Sequence, residues 1–146
     1  MRRPGVHSSS SSEGSDEYFR EHGFHRSIEP FRRDRAEERI ADVRKALRKS
    51  ALIVDRGSEA FFADNDEGEM YRWLSYYCVI RVAEGLSKLH SDVKELNPEV
   101  DWLVIGRMRN LVVHHYERID DDYVWNTLVS DFPQLSQRLA ALAWPE

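Results

Sequence analysis

Arg109, Asn110, His114, His115 and Tyr116 combine side chains able to hold a phosphate and move protons. They fall in Arg109-Asn110-Leu111-Val112-Val113-His114-His115-Tyr116, at R-x4-H-x-Y spacing, inside an apolar segment with the pattern of a helix. A guanidinium is permanently charged, and an imidazole titrates near neutrality. Together they supply what phosphodiester cleavage requires without a metal: a fixed cation for the phosphate and an acid/base for the proton. RNA brings its own nucleophile, the ribose 2′-OH. In that chemistry His114 removes the 2′-OH proton or protonates the leaving 5′ oxygen, and Arg109 holds the scissile phosphate. Asn110 orients a phosphate or supports the helix. His115 is a second candidate acid/base, and Tyr116 hydrogen-bonds substrate or serves as a modifiable hydroxyl. The spacing by itself fits a structural role more readily, because short motifs match by accident. In that alternative Arg109 bridges to an acid such as Glu84, and His114 and Tyr116 only pack.

Helix geometry limits how one chain can assemble this site. At about 100° per residue, Arg109 and Tyr116 share a face, whereas Arg109 and His114 stand roughly 140° apart on a straight helix. Two routes bring them together: distortion of the helix near its end, or a cleft shared between two copies across a two-fold axis.

The segments around this motif read as helices. A first helix is expected from about Asp34 to Val54, with Ile40, Val43, Leu47 and Val54 on one face. Arg44, Lys45, Arg48 and Lys49 lie on the other side, as a solvated face or a phosphate-tracking patch. A connecting loop, Gly57-Ser58 to Asp64-Asn65-Asp66, leads to a second helix from about Asp66 to Leu89. Asp66 with Glu69 supplies its start signal. Its apolar residues Met70, Trp73, Leu74, Tyr77, Cys78, Val82, Leu86 and Leu89 cover more than one core-facing stripe needs. That breadth suits a central helix or one entering a subunit interface. A short turn over Ser91 to Leu96 stops at Asn97-Pro98. Asp101 then caps the motif helix, with Trp102, Ile105, Met108 and Val112 inward. Asp120, Asp121 and Asp122 restart the chain into a helix using Val124, Trp125, Leu128 and Val129. Pro133 kinks that helix or opens a last one carrying Leu135, Leu139 and Leu142. No strand alternation is evident. The reading is an all-α antiparallel bundle of four to six helices over residues 34–146, behind a flexible Ser-rich tail over residues 1–33.

Composition bounds the rest. The length of 146 residues suits one domain and one core. The formal net charge is −5, so contact with RNA is expected through a local patch and not through the global field. The apolar runs are too short for a membrane span, and the start of the chain carries no secretion-signal pattern. Cys78 is the one cysteine, which rules out an internal disulfide and fits a reducing cytoplasm. No metal site or cofactor is expected. His7, His22 and His25 are irregularly spaced and read as solvated. The Gly-Ser…Asp-x-Asp order of the connecting loop resembles the magnesium site of minimal nucleotidyltransferases but lacks its strand context.

Arg-Asn-x-x-x-His-x-Tyr resembles the motif of HEPN-domain ribonuclease toxins of the HepT type, with Tyr116 at the place of the family's modified tyrosine. Trp102 upstream is similar to the family's tryptophan before the motif helix. Downstream, Ile119-Asp120-Asp121-Asp122-Tyr123-Val124-Trp125 and Asp131-Phe132-Pro133-Gln134-Leu135 resemble its Val-Asp…Val-Trp and Asp-Leu-Pro-x-Leu segments. The likeness covers roughly residues 35–143 and is strongest from Trp102 onward. Arg107 within Gly106-Arg107-Met108-Arg109, the doubled His115 and the Ser-rich tail depart from the pattern. The resemblance implies a homodimeric all-α bundle whose motif helices line a composite cleft. It implies the toxin of a type VII toxin–antitoxin pair, a metal-independent endoribonuclease with Arg109 and His114 as catalytic residues. Its antitoxin would be a MntA-like minimal nucleotidyltransferase that transfers AMP to Tyr116, adding charge where RNA phosphate must bind. A catalytically silent binding partner of such a nucleotidyltransferase is the alternative, and an adaptor with no nucleotide link is a third.

Overall fold

The computed structural model describes Glu17, residues 25–114 and residues 119–146, with residues 111–114 described in their backbone only. The described elements are helical. Helix α1 spans Arg33–Asp55, α2 Ser58–Phe62, α3 Asp66–Ser87, α4 Ser91–Leu96 and α5 Trp102–His114. After them come α6, Asp121–Asn126, a π-helical turn over Thr127–Asp131, and α7, Phe132–Ala140. This is the all-α bundle expected from the apolar periodicity.

The central element is α3, packed on α1 along one side and α5 along another. From α1 it receives Ile40, Val43, Leu47 and Ile53, all buried. Ile53 is buried at the last inward position, and the expected Val54 is partly buried against the same core. Gly85 allows the close crossing of α1 and α3: a methyl there would sit 2.5 Å from Cγ2 of Val43. The buried face of α3 is Cys78, Val79, Val82, Ala83 and Leu86. Met70, Trp73, Leu74 and Tyr77, at i, i+3, i+4 and i+7, are exposed, with Trp73 62% exposed. The breadth noted in the sequence is therefore two faces of one helix, one in the core and one open.

Several local details differ from the sequence expectation. The loop after α1 holds a helical turn, α2, because Phe61 is fully buried and stacks on Trp125 at 4.9 Å. Burying such a ring is worth roughly 2–3 kcal/mol, which offsets part of the entropy of ordering the turn. Gly57 makes the bend into it at φ 89°, a conformation that costs glycine least. The cap of α3 is Asn65, one residue before the expected Asp66; its Oδ1 accepts from the Gly68 amide at 2.8 Å. Asp101 and Asp120 behave as expected. Asp101 Oδ1 accepts from Val104 N, and Asp120 Oδ1 accepts from Asp122 N and Tyr123 N. Pro133 opens α7 without a break from α6, because the Phe132 amide reaches back five residues to Thr127 O in the π turn.

Residues 25–32 run along the bundle. Ser27 and Ser91 exchange bonds, amide to hydroxyl, at 2.8 and 3.0 Å. His90 Nε2 lies 2.7 Å from Glu29 O, and Phe31 packs edge-on against the His90 ring.

Candidate functional site

The site starts from the way α5 is fixed. Trp102 is buried, and its indole donates to Asn97 O at 3.0 Å. Asn97 is itself fully buried. Its side-chain amide donates to Val93 O at 2.7 Å and Ala143 O at 2.8 Å, and its Oδ1 accepts from Ala143 N at 2.8 Å. The Asn97 side chain thus ties α4 to the chain beyond α7, while its backbone carbonyl holds Trp102 at the start of α5. The sequence reading took Asn97 only as a turn signal. From this anchor, Trp102, Ile105 and Met108 face the core as expected, and Arg109 stands at the edge of that face.

Arg109 meets α3 at Glu84, with Nε donating to Oε1 at 3.1 Å. Lys88, one turn further along α3, reaches the other oxygen of Glu84 at 3.3 Å. The two cations hold the Glu84 carboxyl below the usual carboxylate range, the Arg109 hydrogen bond most of all. Glu84 therefore gathers two cations at one place. The bond to Glu84 uses Nε alone. The remaining N–H donors of the Arg109 guanidinium have no hydrogen-bond partner among the described residues.

Arg109 and Asn110 border a cleft of about 410 Å³, with Trp102, Lys88, Lys94, His25 and Ser27 among its walls. Lys94 is buried, and its Nζ donates to Ser87 O at 2.8 Å. Desolvation brings its ammonium down to about 8. Sequence reading missed Lys88 and Lys94. The i, i+4 pairing of Glu84 with Lys88 was the available signal for the first; the second lies in a short helix whose placement only the fold reveals. His25, expected as a solvated tail histidine, is exposed and borders this cleft.

The other candidates stand as follows. Asn110 is exposed beside Arg109. The backbone stays α-helical through His114, so within Trp102–His114 no break turns Arg109 and His114 toward each other. On that helix they diverge by roughly 140°. The His114 side chain, His115 and Tyr116 lie outside the described residues. Arg44, from the basic side of α1, is committed elsewhere, donating to Leu139 O at 3.0 Å. Burial pushes the Cys78 thiol up to about 11, in keeping with a packed hydrophobe and not a reactive thiolate. Among the described residues no three His, Cys, Asp or Glu side chains lie close enough to share an ion. No described helix is long and apolar enough to cross a membrane.

Comparison with known proteins adds a family to this geometry. A comparison with solved structures finds no match. Among curated proteins, the chain is 31% identical over 70 residues to "Probable ribonuclease HepT" of Thermococcus cleftensis, covering 45% of this chain and 64% of that protein. It is 23% identical over 65 residues to "Putative RNase TTE0752" of Caldanaerobacter subterraneus subsp. tengcongensis, covering 44% and 58%. It is 28% identical over 67 residues to "Putative RNase MJ1380" of Methanocaldococcus jannaschii, covering 43% and 62%. The matched region spans less than two thirds of each of these relatives. The family model "Ribonuclease HepT-like" matches residues 36–142, which runs from the first turn of α1 to just past α7 and includes the whole of α3 and α5. With that match over most of the bundle, the chain belongs to the HepT-like ribonuclease family.

Proposed function

We propose that this protein is an endoribonuclease that cleaves RNA by attack of the 2′-OH, and the toxin of a toxin–antitoxin pair. The observation that carries the reading is Arg109, held through Nε by Glu84 with its other donors uncommitted at the mouth of a cleft. In the reaction the 2′ oxygen forms a bond to phosphorus and the bond from phosphorus to the 5′ oxygen breaks. The products are a 2′,3′-cyclic phosphate and a 5′-hydroxyl. Arg109 binds the scissile phosphate and stabilises the charge of the transition state. His114 takes the 2′-OH proton or delivers one to the leaving oxygen, with His115 as the second candidate. Asn110 orients the phosphate. The residues assigned a role move protons and charge themselves, and the scheme requires neither metal nor cofactor.

The working unit in this reading is a homodimer. Two observations support it: the open stripe of Met70, Trp73, Leu74 and Tyr77 on α3, and the regular helix that keeps Arg109 and His114 apart within one copy. Each cleft then combines Arg109 of one copy with His114 of the other.

The antitoxin in this reading is a minimal nucleotidyltransferase that transfers AMP from ATP to the Tyr116 hydroxyl, releasing pyrophosphate. Tyr116 lies seven residues after Arg109, and a phosphodiester on it would compete with RNA phosphate for that cation. Incubation with such an enzyme, ATP and magnesium should add the mass of AMP at Tyr116; AMP on Tyr123 in place of Tyr116 would reject the assignment.

The alternative, a silent binding partner of a nucleotidyltransferase, draws on the same ion pair, since Arg109 already has an acidic partner. One assay separates the two. Purified protein in EDTA should cleave single-stranded RNA, and Arg109→Ala and His114→Ala should each lower the rate on the order of 10²-fold or more with helical circular dichroism unchanged. No cleavage by the parent protein, or full activity in both variants, rejects the ribonuclease reading. His115→Ala should act more mildly; a loss confined to it moves the acid/base by one position.

A further inference from the structure

The Arg109 cleft has a neighbour. Lys88 and Leu89 border both it and a second groove, of about 260 Å³, whose other walls include Arg32, Arg35, Arg39 and His90. The two depressions therefore lie side by side, with Lys88 and Leu89 between them. Arg32 is paired with Asp34 at 2.8 Å, and Glu29 is the one carboxylate on the groove wall. Arg35 is exposed and Arg39 half-buried, and neither makes a side-chain hydrogen bond or ion pair among the described residues. They are four residues apart on α1, so they share a face and are separated by roughly 6 Å along the axis. The formal charge of the whole chain is −5, yet this groove gathers cations and leaves two of them uncommitted.

An uncommitted surface guanidinium facing a groove costs little to keep and binds phosphate oxygens in a fork. A row of them leading from a phosphate-cleaving centre serves to hold the backbone of the same strand beyond the reacting bond. We propose that single-stranded RNA leaves the Arg109 cleft over Lys88 and lies in the groove of Arg35 and Arg39, which bind its flanking phosphates. This rests on the ribonuclease reading for the identity of the strand, but the groove's affinity for a polyanion does not depend on cleavage. On α1 the strand follows the Arg35 and Arg39 edge; Arg44, from the basic side, is bonded to Leu139 O.

The test measures binding apart from catalysis. The full chain is titrated with a fluorescent single-stranded oligonucleotide roughly a dozen residues long, 2′-O-methylated so that it cannot be cut, over a series of salt concentrations. Two lost phosphate contacts on a single strand should reduce the slope of log affinity against log salt by about 1.4 in the Arg35→Ala/Arg39→Ala variant. Lys88→Ala should reduce it by about 0.7. Arg56→Ala/Arg138→Ala removes the same charge from exposed positions outside the groove and should leave the slope as it was. An equal drop in both double variants would assign the effect to net charge and overturn the track. An unchanged slope in Arg35→Ala/Arg39→Ala would overturn it as well. If the parent protein binds the strand with these slopes yet cuts no RNA, the ribonuclease reading fails while the track stands.

Discussion

Asn97 offers the sharpest test of how the fold holds the candidate site. Its side chain makes three hydrogen bonds while fully buried: two donated to carbonyl oxygens at 2.7 and 2.8 Å, one accepted from Ala143 N at 2.8 Å. In Asn97→Ala all three vanish. Each contributes about 1 kcal/mol net, and more where the orphaned group stays away from water. Ala143 is exposed, so water can replace part of its two bonds; the contact with Val93 O is buried and has no such relief. The expected loss is about 3 kcal/mol. For a domain of this size that lowers Tm by roughly 10 °C. Asn97→Asp discriminates further. It keeps an acceptor for Ala143 N but turns an oxygen toward Val93 O and Ala143 O, so it should destabilise more than alanine does. Urea melts and differential scanning calorimetry read both. A loss under about 1 kcal/mol for Asn97→Ala, or an aspartate variant as stable as the parent, would refute the assignment of this amide as the link between α4 and the chain beyond α7.

Three further outcomes follow from the geometry. Glu84→Ala should change stability by less than about 1 kcal/mol, because its ion pairs are largely solvated, yet lower kcat/KM on RNA by freeing Arg109 to wander; higher activity would make Glu84 a brake and not a support. Lys94 has its ammonium pKa lowered to about 8 from 10.5 in the unfolded chain. Between those values the unfolded state binds the extra proton, so stability should rise with pH across the window, and the parent-minus-Lys94→Met difference in urea midpoint should show it; a flat difference would remove the desolvated lysine. Trp73→Asp should give a monomer by light scattering, since it places a charge in the open stripe of α3; a parent protein that is itself a monomer would end the composite-cleft argument.

The class of the fold and the order of its longer helices were legible in the chain. Local signals suffice for that. Apolar periodicity marks α1, α3 and α5, and single polar residues such as Asp101 and Asp120 satisfy the first amides of their own helices. The sequence also singled out Arg109 and, for the case of a structural role, offered Glu84 as an acid it would meet, because both stand out as charges within apolar helical runs. Features that depend on distant chain segments emerged only with packing. The split of α3 into a buried and an open face follows from where α1 and α5 lie, and periodicity alone saw only a broad apolar surface. Phe61 orders a helical turn in what read as a loop, because Trp125, far along the chain, supplies the other half of its packing. Asn97 became an anchor because the chain after α7 returns to meet it. Lys88 and Lys94 reached the Arg109 cleft in the same way, and Arg35 and Arg39 of α1 the groove beside it. Side-chain chemistry is written locally; the convergence of charges on one groove is a property of packing, and only the folded chain expresses it.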